Sequence, residues 1–212
     1  MSVTTPIVHL IDDDDAFRTA IGRVLQLAGY DVREYRSAGN FLLDTATRRE
    51  PGCILLDLRM PGPSGLELHE ALAAAEDALP VVFISGHGDV DTSVRAMKAG
   101  AVDFLTKPVD RDRLLAAVGS AVARDAKRRV QGARRQDLDA RYATLAPRER
   151  DVFRLILAGK LNKQIAAALG IAERTVKAHR AQVMEKMRAA SLAELVLLAA
   201  QLPWDSDMPA VE

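Results

Sequence analysis

The run Asp12-Asp13-Asp14-Asp15 follows directly on an apolar segment, residues 7–11, and a further aspartate, Asp57, closes a second apolar segment, residues 53–56. Four adjacent carboxylates repel one another, and acids crowded together need positive charge to stay ionised. If both segments are strands of an open parallel sheet, their carboxyl ends are where such a sheet binds ligands. If they are also neighbours, the acids converge. A hard divalent cation resolves the repulsion: Mg²⁺ takes oxygen ligands, one or two carboxylates completed by water. Two more residues sit at segment ends. Ser85 closes residues 81–85 with a hydroxyl, and Lys107 follows residues 104–106 with an ammonium. Acids, a hydroxyl and a lysine at successive strand ends are the equipment for phosphoryl transfer to a carboxylate. Metal and lysine hold the oxygens, and an aspartate attacks.

The elements that must position these groups alternate along the first half of the chain. Strand-like runs lie at 7–11, 32–35, 53–56, 81–85 and 104–106; most are short, apolar and rich in β-branched residues, as strands covered on both faces should be. Between them, helical patterns are expected at roughly 15–28, 38–48, 65–75, 89–99 and 110–123, with Gly and Pro where helices stop or loops turn. This alternation predicts a doubly wound, five-stranded parallel sheet. The lone Cys53 excludes an internal disulfide and, by its place in a strand, reads as a buried apolar residue.

Formal net charge is zero, yet residues 1–123 carry 12 Lys+Arg against 18 Asp+Glu and residues 124–212 carry 17 against 11. Such asymmetry suggests two domains with different partners, the basic one with a polyanion such as nucleic acid. Residues 124–143 are soluble helix or linker material; Leu138, Tyr142 and Leu145 carry a partial heptad spacing, and Gly132 is the one expected break. Four helices follow. Pro147 and Glu149 suit the first turn of one that Gly159 ends; Asn162 is placed to cap a second that Gly170 ends; a third runs from about Arg174 to Ala189; Ser191 and Glu194 form a capping-box pattern opening the fourth. The polar segment 203–212 is expected to be disordered. With no signal pattern and no apolar run near 18 residues, a cytoplasmic protein is expected, with no membrane contact.

In the first half, "IDDD", "LLDLRMPGPSG", "ISGHGD" and "AMKAGAVDFLTKPV" occur in that order, and residues 5–123 resemble the CheY-like receiver domain of two-component response regulators. The resemblance implies a flavodoxin-like sheet with Asp57 as the phosphoacceptor. Asp13 and Asp57 would bind Mg²⁺ with the main-chain carbonyl of Arg59, and Asp12 would hold a metal-bound water. Lys107 would pair with the phosphoryl group. Ser85 and Phe104 would be the switch residues that alter the face made by residues 90–98, 104 and 114–122, a common dimerisation surface in such proteins. Ser85 stands where Thr is commoner. Asp14 matches an often acidic position, and Asp15 reads as a helix N-terminal residue favoured by the dipole.

In the second half, the two middle helices and the turn between them have a helix-turn-helix pattern. On the third helix Val176, Val183 and Met187 share one face, and Lys177, Ala178, Ala181 and Arg188 lie opposite. "PRE", "AGKLNKQIA" and "TVKAH" make about residues 145–200 resemble the LuxR-type DNA-binding domain of the NarL/FixJ regulators, which places that domain at 144–202. By that resemblance Lys177, Ala178 and Ala181 face bases, and Asn162, Lys163, Thr175 and His179 contact or position the DNA backbone. Ala172 stands where Ser is common, so this helix lacks a side-chain N-cap, at a cost of about 1 kcal/mol.

Together these readings imply a transcription regulator rather than a turnover enzyme. A histidine kinase would phosphorylate Asp57, and homodimers would bind double-stranded DNA. An aspartate-nucleophile phosphatase and a constitutive DNA binder are the alternatives. Residues 110–142 form either one long helix, which favours control by dimerisation, or a helix broken at Gly132, which favours docking and mutual inhibition of the domains.

Overall fold

A computed structural model describes residues 5–44, 50–73, 78–86 and 90–202. The expected segments 45–48, 74–75, 89 and 203–212 lie outside them. The chain divides into two compact units, residues 1–129 and 130–212.

The first unit is built on strands β1 (Ile7–Ile11), β2 (Asp31–Tyr35), β3 (Gly52–Asp57), β4 (Val81–Ser85) and β5 (Asp103–Thr106). They form one parallel sheet in the order β2-β1-β3-β4-β5. β1, β3 and β4 are buried along their whole length, which is why they are legible as unbroken apolar runs. Alternate residues serve two cores. Val8, Leu10, Cys53, Leu55, Val82 and Ile84 pack with Ile21 and Leu25 of α1 (Asp15–Leu27) and with Leu114, Ala117, Val118 and Ala121 of α5 (Arg111–Ala143). Ile11, Ile54, Leu56, Val81 and Phe83 pack with residues of α2 (Ala38–Leu43), α3 (Gly65–Ala73) and α4 (Val90–Lys98). The period of two along the strands and the two helix layers are the same fact.

Gly52 opens β3 because nothing larger fits: a Cβ there would lie 1.9 Å from the Ile7 carbonyl oxygen. Its N–H is held by a residue distant in sequence. The buried Asp125 of α5 accepts from Gly52 N–H (3.1 Å), from Arg128 (2.7 Å) and from Arg129 (2.6 Å), while Arg129 also donates to the Glu50 carbonyl (2.6 Å).

Of the two alternatives for the linker, the structure has the continuous one. α5 runs unbroken through Gly132 to Ala143. A helical glycine costs about 1 kcal/mol against alanine, an amount that the good helix formers around it can offset. Leu138, Tyr142 and Leu145, whose spacing hinted at a coiled coil, pack in the core of the second unit instead.

That unit contains α6 (Pro147–Leu157), α7 (Asn162–Leu169), α8 (Glu173–Met187) and α9 (Leu192–Ala199). Asn162 is the first helical residue of α7 and not its cap. Leu161 holds the cap position, and its N–H donates to the Gln164 side chain (2.8 Å). Gly170 ends α7 in the left-handed conformation (φ 66°), as expected of a C-terminal glycine. Ser191 caps α9 by accepting from Glu194 N–H (3.1 Å), but the Glu194 carboxylate reaches past it to Ala190 N–H (2.8 Å). Among the described residues, no helix is long and apolar enough to cross a membrane.

Asp125→Ala would leave Gly52 N–H without its acceptor. Arg128 and Arg129 can still reach water, so a loss of roughly 1–3 kcal/mol is expected. Urea unfolding followed by circular dichroism checks this.

Candidate functional site

β1 and β3 are neighbours, with Ile11 opposite Leu56, so Asp12 and Asp57 emerge side by side at the carboxyl end of the sheet. Both are buried. The Lys107 ammonium lies between them, 2.7 Å from Asp12 Oδ2 and 3.1 Å from Asp57 Oδ1. It also sits over the Phe17 ring, 4.1 Å from its centre, a favourable contact for a cation. Asp57 Oδ2 accepts from Arg59 N–H (3.0 Å).

The sequence-predicted aspartates separate by environment. Asp12 Oδ1 accepts from Asp14 N–H (2.9 Å). Asp13 is exposed. Asp14 is the N-cap of α1, accepting from Ala16 and Phe17 N–H (2.9 and 3.1 Å). Asp15, in the first turn of that helix, pairs with Arg18 and, at 3.4 Å, with Arg36. Ser85 is buried at the end of β4, and its carbonyl accepts from Lys107 N–H (2.8 Å). Phe104, on β5, is half-buried against the core that contains Phe83 and Ala96.

Burial raises the Asp57 pKa above the ordinary aspartate value; Lys107 opposes that shift and the Asp12 charge adds to it. Burial disfavours the Lys107 ammonium, but its bonds to Asp12 and Asp57 outweigh that, and its pKa is raised. Two buried carboxylates therefore share one ammonium. This donor set fits Mg²⁺: hard oxygens, one negative charge in excess and an exposed third carboxylate, Asp13, next in the chain. Among the described residues, no three acidic, histidine or cysteine side chains form a metal site by themselves. A cation here would draw on Asp12 or Asp13, Asp57, the Arg59 carbonyl and water. Cys53, at the opposite end of β3, is fully buried with its thiol pushed up to about 12 by burial and the Asp125 charge.

In the second unit the expected apolar stripe of α8 is real: Val176, Val183 and Met187 are fully buried. Lys177, Ala178 and Ala181 are exposed on the other side, Lys163 is exposed at the start of α7, and Asn162, Thr175 and His179 are half-buried. Ala172 holds the cap position of α8 with no side-chain bond. α8 is instead tied at its far end. Lys186 donates to Glu149 Oε2 (2.6 Å), and Arg141 donates to the Met187 carbonyl (3.2 Å). The Lys186 bond is the main cause that holds the Glu149 carboxyl below the ordinary range, and the charge of His179 adds slightly to it.

Sequence reasoning missed that three charged residues, Arg18, Asp125 and Glu149, are buried. A signal existed for two of them. Arg18 is three and seven residues before Ile21 and Leu25, and Asp125 is four and seven after Ala121 and Val118. Each is a charge on a helix's apolar stripe.

Two family models match the chain: response regulator receiver domain over residues 8–119, and bacterial regulatory proteins of the luxR family over residues 143–199. The transcriptional regulatory protein FixJ of Azorhizobium caulinodans is 46% identical over 205 residues, 95% of this chain and 97% of that protein. Nodulation protein W of Bradyrhizobium diazoefficiens is 43% identical, covering 94% of this chain and 87% of its own. Among solved structures, the response regulator StyR is 42% identical with a TM-score of 0.84, over 93% of this chain and all of that one. Full-length FixJ from B. japonicum has the same identity and a TM-score of 0.56, over 93% and 98%.

Asp57 meets a cost on ionising in the fold, because its pKa there is raised. That cost is absent at pH values where the carboxyl is protonated in both states and grows as pH rises through the ordinary aspartate value to the folded one. Without divalent metal, Asp57→Asn is expected to melt above wild type at pH 7. The difference should vanish below about pH 4. Thermal melts across pH check it.

Proposed function

The chain belongs to the NarL/FixJ-type response regulators, transcription regulators that join a receiver domain to a LuxR-type DNA-binding domain, and we propose that Asp57 is the residue through which this one is switched. The observation that carries the reading is the Lys107 ammonium seated between two buried carboxylates, one of them Asp57. A histidine kinase donates the phosphoryl group. One Asp57 oxygen bonds to phosphorus as the bond to the donor's imidazole nitrogen breaks. Lys107 then exchanges part of its hold on Asp57 for a phosphoryl oxygen. Asp13, Asp57 and the Arg59 carbonyl would hold Mg²⁺, and Asp12 would hold a water bound to it. When bound, Mg²⁺ neutralises charge on the phosphoryl oxygens and on the acids around them.

Residues 5–123 act as the receiver, 124–143 as the connecting helix and 144–202 as the DNA reader. Phosphorylation adds up to about two negative charges and three acceptor oxygens. Ser85 is the hydroxyl that turns to them, and Phe104 fills the space it leaves. The face around α4, β5 and α5 then pairs with a second copy. In the dimer, α8 of each copy enters the major groove, with Lys177 at base edges and Ala178 and Ala181 against thymine methyls. Asn162, Lys163, Thr175 and His179 meet or position the backbone. Phosphodonor and DNA alike are cytoplasmic.

Intact mass spectrometry after incubation with Mg²⁺ and a small phosphoryl donor tests the pocket. One phosphoryl adduct is expected on wild type, none without Mg²⁺ and none on Asp57→Asn. An undiminished adduct on Asp57→Asn would overturn the assignment.

For the DNA surface, Lys163→Ala should weaken binding evenly across sequences and lower the salt slope by about 1. Lys177→Ala should cost about 1–3 kcal/mol and relax specificity at one position. Fluorescence anisotropy at several salt concentrations separates the two.

A further inference from the structure

Asp12 follows the last residue of β1, so its main-chain carbonyl has passed beyond the ladder while still lying inside the protein. A buried carbonyl left unpaired costs free energy. Arg18, itself buried on α1, supplies the partner: its Nη1 donates to the Asp12 carbonyl at 2.6 Å. The same guanidinium donates through Nη2 to Asp15 and lies with Nε 3.7 Å from Glu34 Oε2 on β2. Room for Glu34 comes from Gly22, where a Cβ would stand 2.6 Å from its Oε1. One side chain thus ties the end of β1, the first turn of α1 and the neighbouring strand.

Asp12 is fixed on every polar atom. Its N–H donates to the Tyr35 carbonyl (3.1 Å), Oδ1 accepts from Asp14 N–H (2.9 Å), Oδ2 accepts from Lys107 (2.7 Å), and its carbonyl accepts from Arg18. Of the four, Arg18 alone is a side chain that holds the backbone at this residue. Asp13 follows directly, and the orientation of that backbone decides where both carboxylates point.

We propose that Arg18 is a positioning residue for the cation site: by holding the Asp12 carbonyl it presets Asp12 and Asp13 for Mg²⁺. The inference rests on the reading of Asp12, Asp13 and Asp57 as the residues that hold Mg²⁺. A planar, always-charged fork can serve the carbonyl and two carboxylates at once, and a lysine cannot. Charge and position make opposite predictions here. Arg18 is a cation near a cation site, so if only its charge mattered, neutralising it would tighten Mg²⁺ binding. If its hold on the backbone matters, losing it weakens binding whether or not the charge is kept.

The test titrates Mg²⁺ into the full chain and follows the amide resonances of residues 12–15 and 57–59, for wild type, Arg18→Lys and Arg18→Met. The rate of adduct formation on Asp57 is measured against Mg²⁺ in parallel. Arg18→Lys is expected to raise the Mg²⁺ midpoint about tenfold, as loss of a partner behind a metal ligand does. Its adduct rate at saturating Mg²⁺ should stay near wild type, a split that a generally damaged fold would not give. Arg18→Met should also raise the midpoint. A midpoint unchanged in Arg18→Lys, or lowered in Arg18→Met, overturns the role of Arg18 while leaving the cation site standing. A wild type whose amides at these positions ignore Mg²⁺ overturns the underlying reading, and the inference with it.

Discussion

The contact between the Lys107 ammonium and the carboxylates of Asp12 and Asp57 is the constraint around which the first unit is arranged. Two ionised acids are stable inside a protein only with opposite charge at hand. The sheet order meets that need. β3 and β5 are separated by β4, roughly 10 Å between their axes at the usual strand spacing. The lysine stem and the shorter aspartate side chain reaching toward it cover that span together, and the ammonium sits over the Phe17 ring. The ammonium is not a full answer. It leaves one charge of excess, with Asp57 still pushed toward its neutral form. The pocket is left electrostatically incomplete, as the proposed role of accepting a cation and an oxyanion would require.

The four consecutive aspartates become intelligible in this light. Residue type is constant across 12–15, and environment alone assigns the work. Asp12 is buried and fully bonded, and Asp13 is exposed beside it. Asp14 satisfies two N–H groups that the first turn of α1 would otherwise leave unpaired. Asp15 sits at the positive end of the helix dipole and among two arginines. Repulsion along the run is thus met by four separate sources of positive charge: Lys107, the helix N-terminus, Arg18 and Arg36. The acids stay close together because only residues 12–14 separate β1 from α1.

How much of this the sequence disclosed follows from which forces are periodic. The five strands could be placed to within a residue or two: β1, β3 and β4 because burial on both faces leaves an apolar run, and the largely exposed β2 and part-buried β5 from their place in the alternation. Asp57, Ser85 and Lys107 were legible as groups at strand ends, and the β1–β3 pairing that brings Asp57 to Asp12 needed only the sheet order. The burial of Arg18, Asp125 and Glu149 was not found, since each has at least one partner from another element of the fold, for Arg18 the Glu34 carboxylate of β2. Asp125 meets Gly52 across 73 positions and Glu149 meets Lys186 across 37. No local pattern records such pairs. Leu161 at the cap of α7 escaped for a different reason: the Gln164 side chain, three residues on, accepts from the Leu161 N–H, the half of a capping box that needs no polar residue at the cap.

The second unit applies the same logic to a surface that must stay free. α8 has no side-chain cap, and Arg188 closes it in the left-handed conformation (φ 53°), which is unfavourable for any residue but glycine. Its own ends therefore do little to hold the helix. Stability comes from the buried stripe of Val176, Val183 and Met187 and from tethers at the C-terminal end, Lys186 to Glu149 and Arg141 to the Met187 carbonyl. All of these lie on the side or at the end away from Lys177, Ala178 and Ala181. A helix fixed through its back and tail needs none of its exposed face for folding. That leaves the composition of the face, a lysine at 177 and small side chains at 178 and 181, free to serve the DNA contact proposed for it.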